Sequence, residues 1–252
     1  MHLDDSRASS PISLLRSAWR WWRDTAMREG HFAATRKLLI ALWEFVRDST
    51  PQRRRQRYGD ADYDWDHRVN TTSAALNWRD RLLGIFYSPY QPTEAVLFRE
   101  MLEALRDHTH ADFRDFVFID LGSGKGRTLL MASDCPFRRI VGVELLPALH
   151  QAAQDNLSRY RSASQKCFTL EAICGDATEF SFPAEPIVLY LFNPFPESGL
   201  RRAIANLEQN LRDHPRAAYV LYHNPLLEPV LSESAAFSKI GGTHQYAVYA
   251  SR

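Results

Sequence analysis

An aspartate followed by alternating glycines is the stretch of this sequence best suited to hold a cofactor. The apolar run 116–119 predicts a buried strand, Asp120 ends it, and glycines stand at positions 122, 124 and 126. The apolar residues after them predict a helix. Glycine lets a backbone approach a ligand closely, and a helix N-terminus presents unpaired N–H groups. The stretch therefore predicts a cradle for a nucleotide or a cofactor.

Two phosphate-binding patterns do not fit this stretch. A P-loop requires G-x-x-x-x-G-K-[ST], but Lys125 is followed by Gly126, and no glycine stands five positions before Gly124. The dinucleotide fingerprint requires G-x-G-x-x-G, and its third glycine would fall at position 127, which is arginine. The pattern that remains is D-x-G-x-G-x-G, and an acid at a strand end suits a cationic ligand.

Three more strands are predicted to end in polar residues. The run 139–144 ends in Glu144, 24 residues after Asp120, where a carboxylate can accept hydrogen bonds from both ribose hydroxyls. A third strand ends in Gly175-Asp176-Ala177, and a fourth ends in Asn193-Pro194-Phe195. The spacing therefore predicts several functional side chains at the carboxyl ends of successive strands.

A histidine follows the fifth predicted strand, at the edge where such sheets bind ligands. It lies within Tyr222-His223-Asn224-Pro225. His223 is a candidate general base near pH 7. The alternative is a hydrogen-bonded loop histidine without a role in proton transfer.

Alternating strands and helices favour a parallel sheet covered on both faces. Strands are predicted near 116–120, 139–144, 168–174, 187–192, 217–222, 236–240 and 244–250, and helices near 126–133, 147–160, 197–212 and 225–234. A further helix is expected from Thr93, as its N-cap, to about Leu105. The fold class is α/β, a doubly wound, seven-stranded, mostly parallel sheet with a C-terminal antiparallel strand that Gly241-Gly242 could turn.

These motifs, in this order, resemble those of the class I S-adenosylmethionine (SAM) methyltransferases over about residues 90–252. The resemblance implies SAM as cofactor, S-adenosylhomocysteine as product and no metal. It implies the following cofactor-binding residues: Thr93, Asp120, Gly122, Ser123, Gly124, Gly126, Arg127, Glu144, Asp176, Ala177 and Asn193. In this family, the aspartate that corresponds to Asp176 accepts a hydrogen bond from the adenine amino group.

The resemblance also suggests the acceptor. Asn193-Pro194-Phe195 is similar to [DNS]-P-P-[FY] of N-methyltransferases, in which the side-chain carbonyl and the following backbone carbonyl accept the amine's hydrogens and the ring packs on the target. The implied catalytic set is Asn193, Pro194 and Phe195, with His223 as a further candidate. The single proline differs from the two of DNA adenine enzymes.

The whole pattern resembles an uncharacterised group of bacterial SAM-dependent methyltransferases and, more distantly, the non-SET protein-lysine methyltransferases. This likeness suggests a protein amine as methyl acceptor. The alternatives are a nucleic-acid base, a small metabolite, and a SAM-binding module that transfers no methyl group.

Charge is unevenly distributed along the 252 residues. The net charge is +1; residues 1–58 contain twelve Lys or Arg and six Asp or Glu, a net of +6, which leaves −5 for the rest. A negative catalytic part weighs against nucleic acid as a partner, because phosphates require Lys or Arg. We divide the chain into a basic, Trp-rich helical extension (1–58), a connector expected to cover the active site (59–91) and the methyltransferase domain (92–252).

The extension carries an apolar stripe that includes Ile12, Leu15, Trp19 and Trp22, and a second pattern follows Gly30. The favoured interpretation is a helical pair packed on the catalytic domain. The alternative is a basic amphipathic helix at a membrane surface. Three cysteines are too few and too irregularly spaced for a disulfide framework or a zinc site, so we expect reduced thiols and a cytoplasmic location, with peripheral membrane contact as the alternative.

Overall fold

The structure is a computed structural model that describes residue 19 and residues 22–23, 25–28, 30–48, 61–72 and 92–252. The chain divides into two compact units. The first comprises Met1–Tyr58 and Ala75–Tyr90, and the second comprises Gly59–Ala74 and Gln91–Arg252. All the candidate site residues fall in the second unit.

The second unit is built on one seven-stranded sheet. Its strands are β1 (Val117–Leu121), β2 (Arg139–Glu144), β3 (Leu170–Cys174), β4 (Ile187–Leu191), β5 (Ala218–His223), β6 (Phe237–Gly242) and β7 (Tyr246–Ser251). They lie in the order β3-β2-β1-β4-β5-β7-β6. The first five are parallel, and β7 runs antiparallel to β5 and β6. This confirms the predicted α/β sheet with a C-terminal antiparallel strand.

Helices alternate with these strands. The first unit contains α1 (His31–Asp48); the second contains α2 (Ala61–His67), α3 (Ala95–Thr109), α4 (Arg127–Ala132), α5 (Pro147–Arg159), α6 (Glu197–Asp213) and α7 (Glu228–Ser232). Short 3-10 segments occur at Phe113–Asp115 and Ala177–Glu179.

The two faces of the sheet bury separate apolar clusters. On one face, Ile119 of β1 packs in a cluster with Leu207 of α6. On the other, Phe118 meets Phe98 of α3 edge to face, with the ring centroids 5.9 Å apart. Because successive side chains of a strand point to opposite faces, Asp120 shares the side of Phe118.

The glycine turn predicted for the last hairpin is wrong. Gly241 and Gly242 lie inside β6 and pair with Val248 and Ala247 of β7. The chain turns at residues 243–245 instead. Gly242 has φ +135°, and a Cβ at that position would come within 2.4 Å of a backbone oxygen of β7. The glycine is therefore required by a close strand contact rather than by the turn.

The N-cap predicted at Thr93 is also wrong. Helix α3 begins at Ala95, its N-cap is Glu94, and no side chain caps it. The buried hydroxyl of Thr93 instead pairs with the hydroxyl of Tyr190 at 2.8 Å. Thr93 therefore tethers the entry to α3 to the sheet.

In the first unit, the break between two helical segments occurs at Gly30, which has φ +89°. Trp22 stacks on His31 with a centroid separation of 5.4 Å and donates a hydrogen bond to Thr35 Oγ1 at 3.2 Å. These contacts hold the segment before Gly30 against α1.

The second apolar pattern of this unit is partly solvent-exposed, since Phe32 and Leu39 are both exposed. Ile12 and Leu15 of the predicted stripe lie outside the described residues. No helix within the described ranges is both long and apolar enough to cross a bilayer.

A substitution at Gly142 in the middle of β2 tests how closely β2 packs against α4 and the loop after β1. A Cβ at Gly142 would lie 2.6 Å from Leu129 Cδ1 and 2.6 Å from Ser123 Oγ. We expect Gly142→Ala to lower the free energy of unfolding by about 1–3 kcal/mol through overpacking, as measured by urea denaturation. Gly175→Ala is the matched control, because no atom lies within 4 Å of its added Cβ. Equal stability of the two variants would contradict this packing.

Candidate cofactor and acceptor site

The loop after β1 has a backbone shape that only glycine adopts readily. Gly122, Gly124 and Gly126 have φ values of +88°, +55° and +79°. A Cβ on Gly122 would come within 2.6 Å of Pro194 Cβ, and one on Gly126 would lie 3.2 Å from Ala153 Cβ. These glycines therefore allow the loop to pass closely between the loop after β4 and helix α5.

Glu144 ties this loop to the end of β2. Its Oε2 accepts a hydrogen bond from Gly124 N–H and its Oε1 accepts one from Leu146 N–H, each at 2.8 Å. Burial raises the pKa of this carboxyl, and the backbone donors partly offset that effect. A carboxylate has about four acceptor positions, so Glu144 can still accept a hydrogen bond from a ligand.

Asp120 is buried beneath the same loop. Its Oδ2 accepts a hydrogen bond from the Thr128 hydroxyl at the start of α4. Burial raises the pKa of Asp120 to about 7, and the negative charge of Glu144 adds to the rise. A cationic group bound here would favour the ionised carboxylate.

The end of β3 places Asp176 beside a short 3-10 segment that contains the buried Ala177. Asp176 Oδ1 accepts hydrogen bonds from the backbone N–H and the hydroxyl of Thr178 at 2.9 and 2.8 Å. Asp176 is exposed, and its Oδ2 accepts no hydrogen bond from the described residues. It can therefore both cap this turn and accept a hydrogen bond from a ligand.

Two other predicted cofactor residues have different environments. The Ser123 side chain lies against Gly142, and its buried Oγ has no hydrogen-bond partner among the described residues. Arg127 is 2% exposed, and its guanidinium faces Thr71, Asp64 and the ring of Tyr63. The guanidinium of Arg127 is thus engaged by residues 63–71, and the cofactor contact at Arg127 stays a prediction.

The side chain of Asn193 is held from both ends. Its backbone has φ +45°; its Nδ2 donates to the carbonyl of Asn224 at 2.7 Å, and its Oδ1 accepts from Tyr222 OH at 2.9 Å. Tyr222 OH also accepts from Leu227 N–H at 3.2 Å, so its own proton is directed at Asn193. These bonds fix which end of the amide is the oxygen, and that oxygen keeps one acceptor position.

Phe195, which follows Pro194, is half-buried against the α6 side of the core, with its Cβ 3.0 Å from the position of a Cβ on Gly199. Its ring therefore packs partly against the hydrophobic core. The glycine in the first turn of α6 makes room for it.

His223 is surrounded by uncharged side chains that stack on it or are linked to it by hydrogen bonds. Its ring stacks on Phe192 at 3.8 Å, and its Nδ1 is 2.8 Å from Tyr190 OH, which in turn is paired with Thr93. Burial lowers the pKa of His223 to about 4. Because an efficient general base has a pKa near the working pH, this environment favours the alternative of a hydrogen-bonded histidine.

Sequence reasoning missed several residues that shape the site: Asp64, Asn70, Lys125, Thr128, Asn156, Tyr190 and Tyr222. One of them carried a signal. Asn156 continues the stripe Leu149 and Ala153 on α5, so a polar side chain occupies an apolar face. Such an interruption indicates a buried hydrogen-bonding role. Within the described ranges, no group of three or more His, Cys, Asp or Glu is arranged to hold a metal ion.

No protein-family model and no curated protein matches this chain. Among solved structures, it is similar to a ribosomal protein L11 methylase from Lactobacillus delbrueckii subsp. bulgaricus, with 16% identity, a TM-score of 0.42, and coverage of 63% of this chain and 76% of that chain. An RNA methyltransferase from Salinibacter ruber in complex with S-adenosyl-L-homocysteine gives 23% identity, a TM-score of 0.38, and coverage of 63% and 91%.

Magnesium protoporphyrin IX methyltransferase from Synechocystis PCC 6803 with bound SAM gives 11% identity, a TM-score of 0.45, and coverage of 79% of this chain and 94% of that chain. These likenesses are too distant to assign an activity or an acceptor. The assignment of function therefore depends on the geometry of this chain's own residues.

The environment of His223 predicts a measurable pH dependence. The unfolded chain binds a proton at a pKa of about 6.5, whereas the folded chain binds it at about 4. The stability contributed by neutral His223 is therefore present above pH 6.5 and is lost as the pH falls towards 4. We expect NMR titration of the ring to give a pKa of about 4, and His223→Gln to lose less stability than wild type between pH 7 and pH 5. A ring that titrates near 6.5 would contradict this environment.

Proposed function

We propose that this chain is a SAM-dependent methyltransferase that methylates an amine nitrogen, with a protein lysine as the acceptor. The observation that carries the proposal is the joining of the glycine loop to the end of β2 by the bond between Gly124 N–H and Glu144. Beside that bond lies the buried acid Asp120. The adjacent strand β4 is followed by Asn193, whose amide is held in one orientation.

The residues present fit the cofactor. Glu144 can accept a hydrogen bond from the ribose, Asp176 can accept one from the adenine amino group, and Asp120 offers a negative charge to the ammonium group. The glycines at 122 and 124 leave the backbone of the loop open to close approach. When bound, SAM supplies a methyl group on a positively charged sulfur, which is a good leaving group.

The chain's own contribution to transfer is alignment and exclusion of water rather than a covalent nucleophile. Asn193 Oδ1 and the backbone carbonyl of Pro194 are the acceptors that would hold an amine by its hydrogens. An amine must be neutral to attack. The nearby ring pair of Phe192 and His223 carries no charge at pH 7, and a weakly polar wall disfavours an ammonium ion.

The acceptor class is supported by charge. Residues 59–252 carry 19 Lys or Arg and 24 Asp or Glu, a net of −5. A dedicated nucleic-acid enzyme needs cationic side chains against phosphates. A net negative charge instead attracts a basic peptide, whose lysines would be the amines to be methylated.

A substitution at Glu144 tests the cofactor site. We expect Glu144→Gln to weaken the binding of S-adenosylhomocysteine about 10- to 100-fold in calorimetry, because a charged hydrogen-bond acceptor is worth about 1.5–3 kcal/mol. Glu185→Gln is the matched control, since its carboxylate is part-exposed and pairs with Arg139 at the amino ends of the parallel strands, away from the candidate site. Wild-type affinity in a folded Glu144→Gln variant would refute the assignment.

The acceptor is tested by incubating cell extract with SAM carrying a radiolabelled methyl group. We expect the label in protein, on lysine, and a loss of about 10²–10³ in rate with Asn193→Ala, which removes an acceptor of hydrogen bonds that are needed during transfer. Binding of S-adenosylhomocysteine should change little in that variant. Label confined to nucleic acid or small molecules would overturn the protein assignment, and unchanged transfer by the variant would place the acceptor elsewhere.

A further inference from the structure

Residues 61–72 fold around the carboxylate of Asp64. Asp64 Oδ2 accepts hydrogen bonds from Thr71 N–H and Thr72 N–H, both at 2.7 Å, and from the Thr72 hydroxyl at 2.8 Å. Its Oδ1 accepts one from the Thr71 hydroxyl. Both threonines are buried. Four bonds to one side chain give this segment, α2 and the loop after it, a defined shape.

Two cations of the glycine loop hold this segment. Arg127 Nη1 donates to Thr71 Oγ1 at 3.0 Å and lies 3.6 Å from Asp64 Oδ1, while its guanidinium carbon lies 4.3 Å from the centre of the Tyr63 ring. Lys125 Nζ donates to Asn70 Oδ1 at 2.9 Å and to the carbonyl of Thr72 at 3.0 Å. The two cations flank Gly126, so both contacts bear on the loop itself.

Asn156 of α5 joins the loop and the segment through one side chain. Its Oδ1 accepts from Asn70 N–H at 2.9 Å, and its Nδ2 donates to the carbonyls of Asn70 at 3.1 Å and of Lys125 at 3.0 Å. The side chain is 3% exposed. The backbone of Lys125 is thereby fixed from one side by Asn156, while its side chain is fixed from the other by residues 70 and 72.

We infer that residues 61–72 form a clasp that holds the glycine loop in the shape required by the cofactor. Asn156, Lys125, Arg127 and Asp64 are positioning residues: they act through the loop rather than by touching the cofactor. The inference rests on the proposed function, since it takes this loop to be the SAM-binding loop.

The physical reason is the entropy of the loop. Glycine loses more conformational freedom on ordering than any other residue, and this loop has three glycines with positive φ. A loop that the clasp already orders in the free protein binds its ligand more tightly, because binding then loses less conformational entropy. The coupling is reciprocal, so a bound cofactor must stabilise the clasp by the same factor.

The test uses the full-length chain and the variant Asn156→Asp. The substitution keeps the volume and the acceptor for Asn70 N–H, but it replaces two donations with an oxygen that faces two carbonyls. We expect the Kd for S-adenosylhomocysteine, measured by calorimetry, to rise about tenfold, which corresponds to the loss of one or two hydrogen bonds. Asn210→Asp is the control, because it removes one comparable bond, from Nδ2 to the Phe182 carbonyl at 3.0 Å, on the α6 side of the sheet.

Hydrogen exchange separates positioning from mere stabilisation. In wild type and in Asn210→Asp, S-adenosylhomocysteine should slow exchange of the Thr71 and Thr72 amides; in Asn156→Asp this protection should be reduced by about the factor lost in affinity. If Asn156→Asp does not fold, the milder Asn70→Ala, at an exposed residue, serves in its place.

A folded variant with wild-type Kd and wild-type protection would overturn the clasp while leaving the cofactor assignment intact. Absence of S-adenosylhomocysteine binding in the wild type would overturn both.

Discussion

The hydrogen bond from Gly124 N–H to Glu144 is the interaction on which the candidate site depends. It closes the loop after β1 onto the end of β2, and the same carboxylate receives Leu146 N–H at the entry to α5. One side chain therefore sets the spacing between two strand ends and the start of a helix. Its burial is tolerated because its oxygens are hydrogen-bonded, which offsets part of the cost of removing a carboxylate from water.

A second organising feature is the pair of asparagines in the turns that follow β4 and β5. Asn193 and Asn224 both have left-handed backbone conformations, with φ of +45° and +46°, and asparagine adopts this region more readily than most residues. The Nδ2 bond from Asn193 to the Asn224 carbonyl links the two turns, and Tyr222 OH completes the clamp. The orientation of the Asn193 amide is thus set by the turns that follow two adjacent parallel strands.

Much of the sheet could be predicted from the sequence, because its central strands are continuous apolar runs that end in polar residues. The run 139–144 predicted β2 with the observed bounds, and the antiparallel final strand is confirmed. The role of Gly241-Gly242 could not be predicted, because a close strand contact and a turn both select glycine. The local sequence also predicted Thr93 as the N-cap of α3, whereas its hydroxyl pairs with Tyr190, which lies 97 residues further along the chain. The side-chain partners of Lys125 and Arg127 could not be predicted for the same reason, because Asp64 and residues 70–72 come from a distant part of the chain.

The division of the chain into units has a consequence for synthesis. Residues 59–74 belong to the second unit, although they lie between the two parts of the first. The first unit therefore cannot be completed until residue 90 has left the ribosome. Residues 61–72 are synthesised before their partners. Asn70 pairs with Lys125, which is 55 residues further along the chain, and with Asn156, which is 86 residues further along. Each unit is interrupted by the other in sequence, and neither can be released as a simple N-terminal or C-terminal fragment.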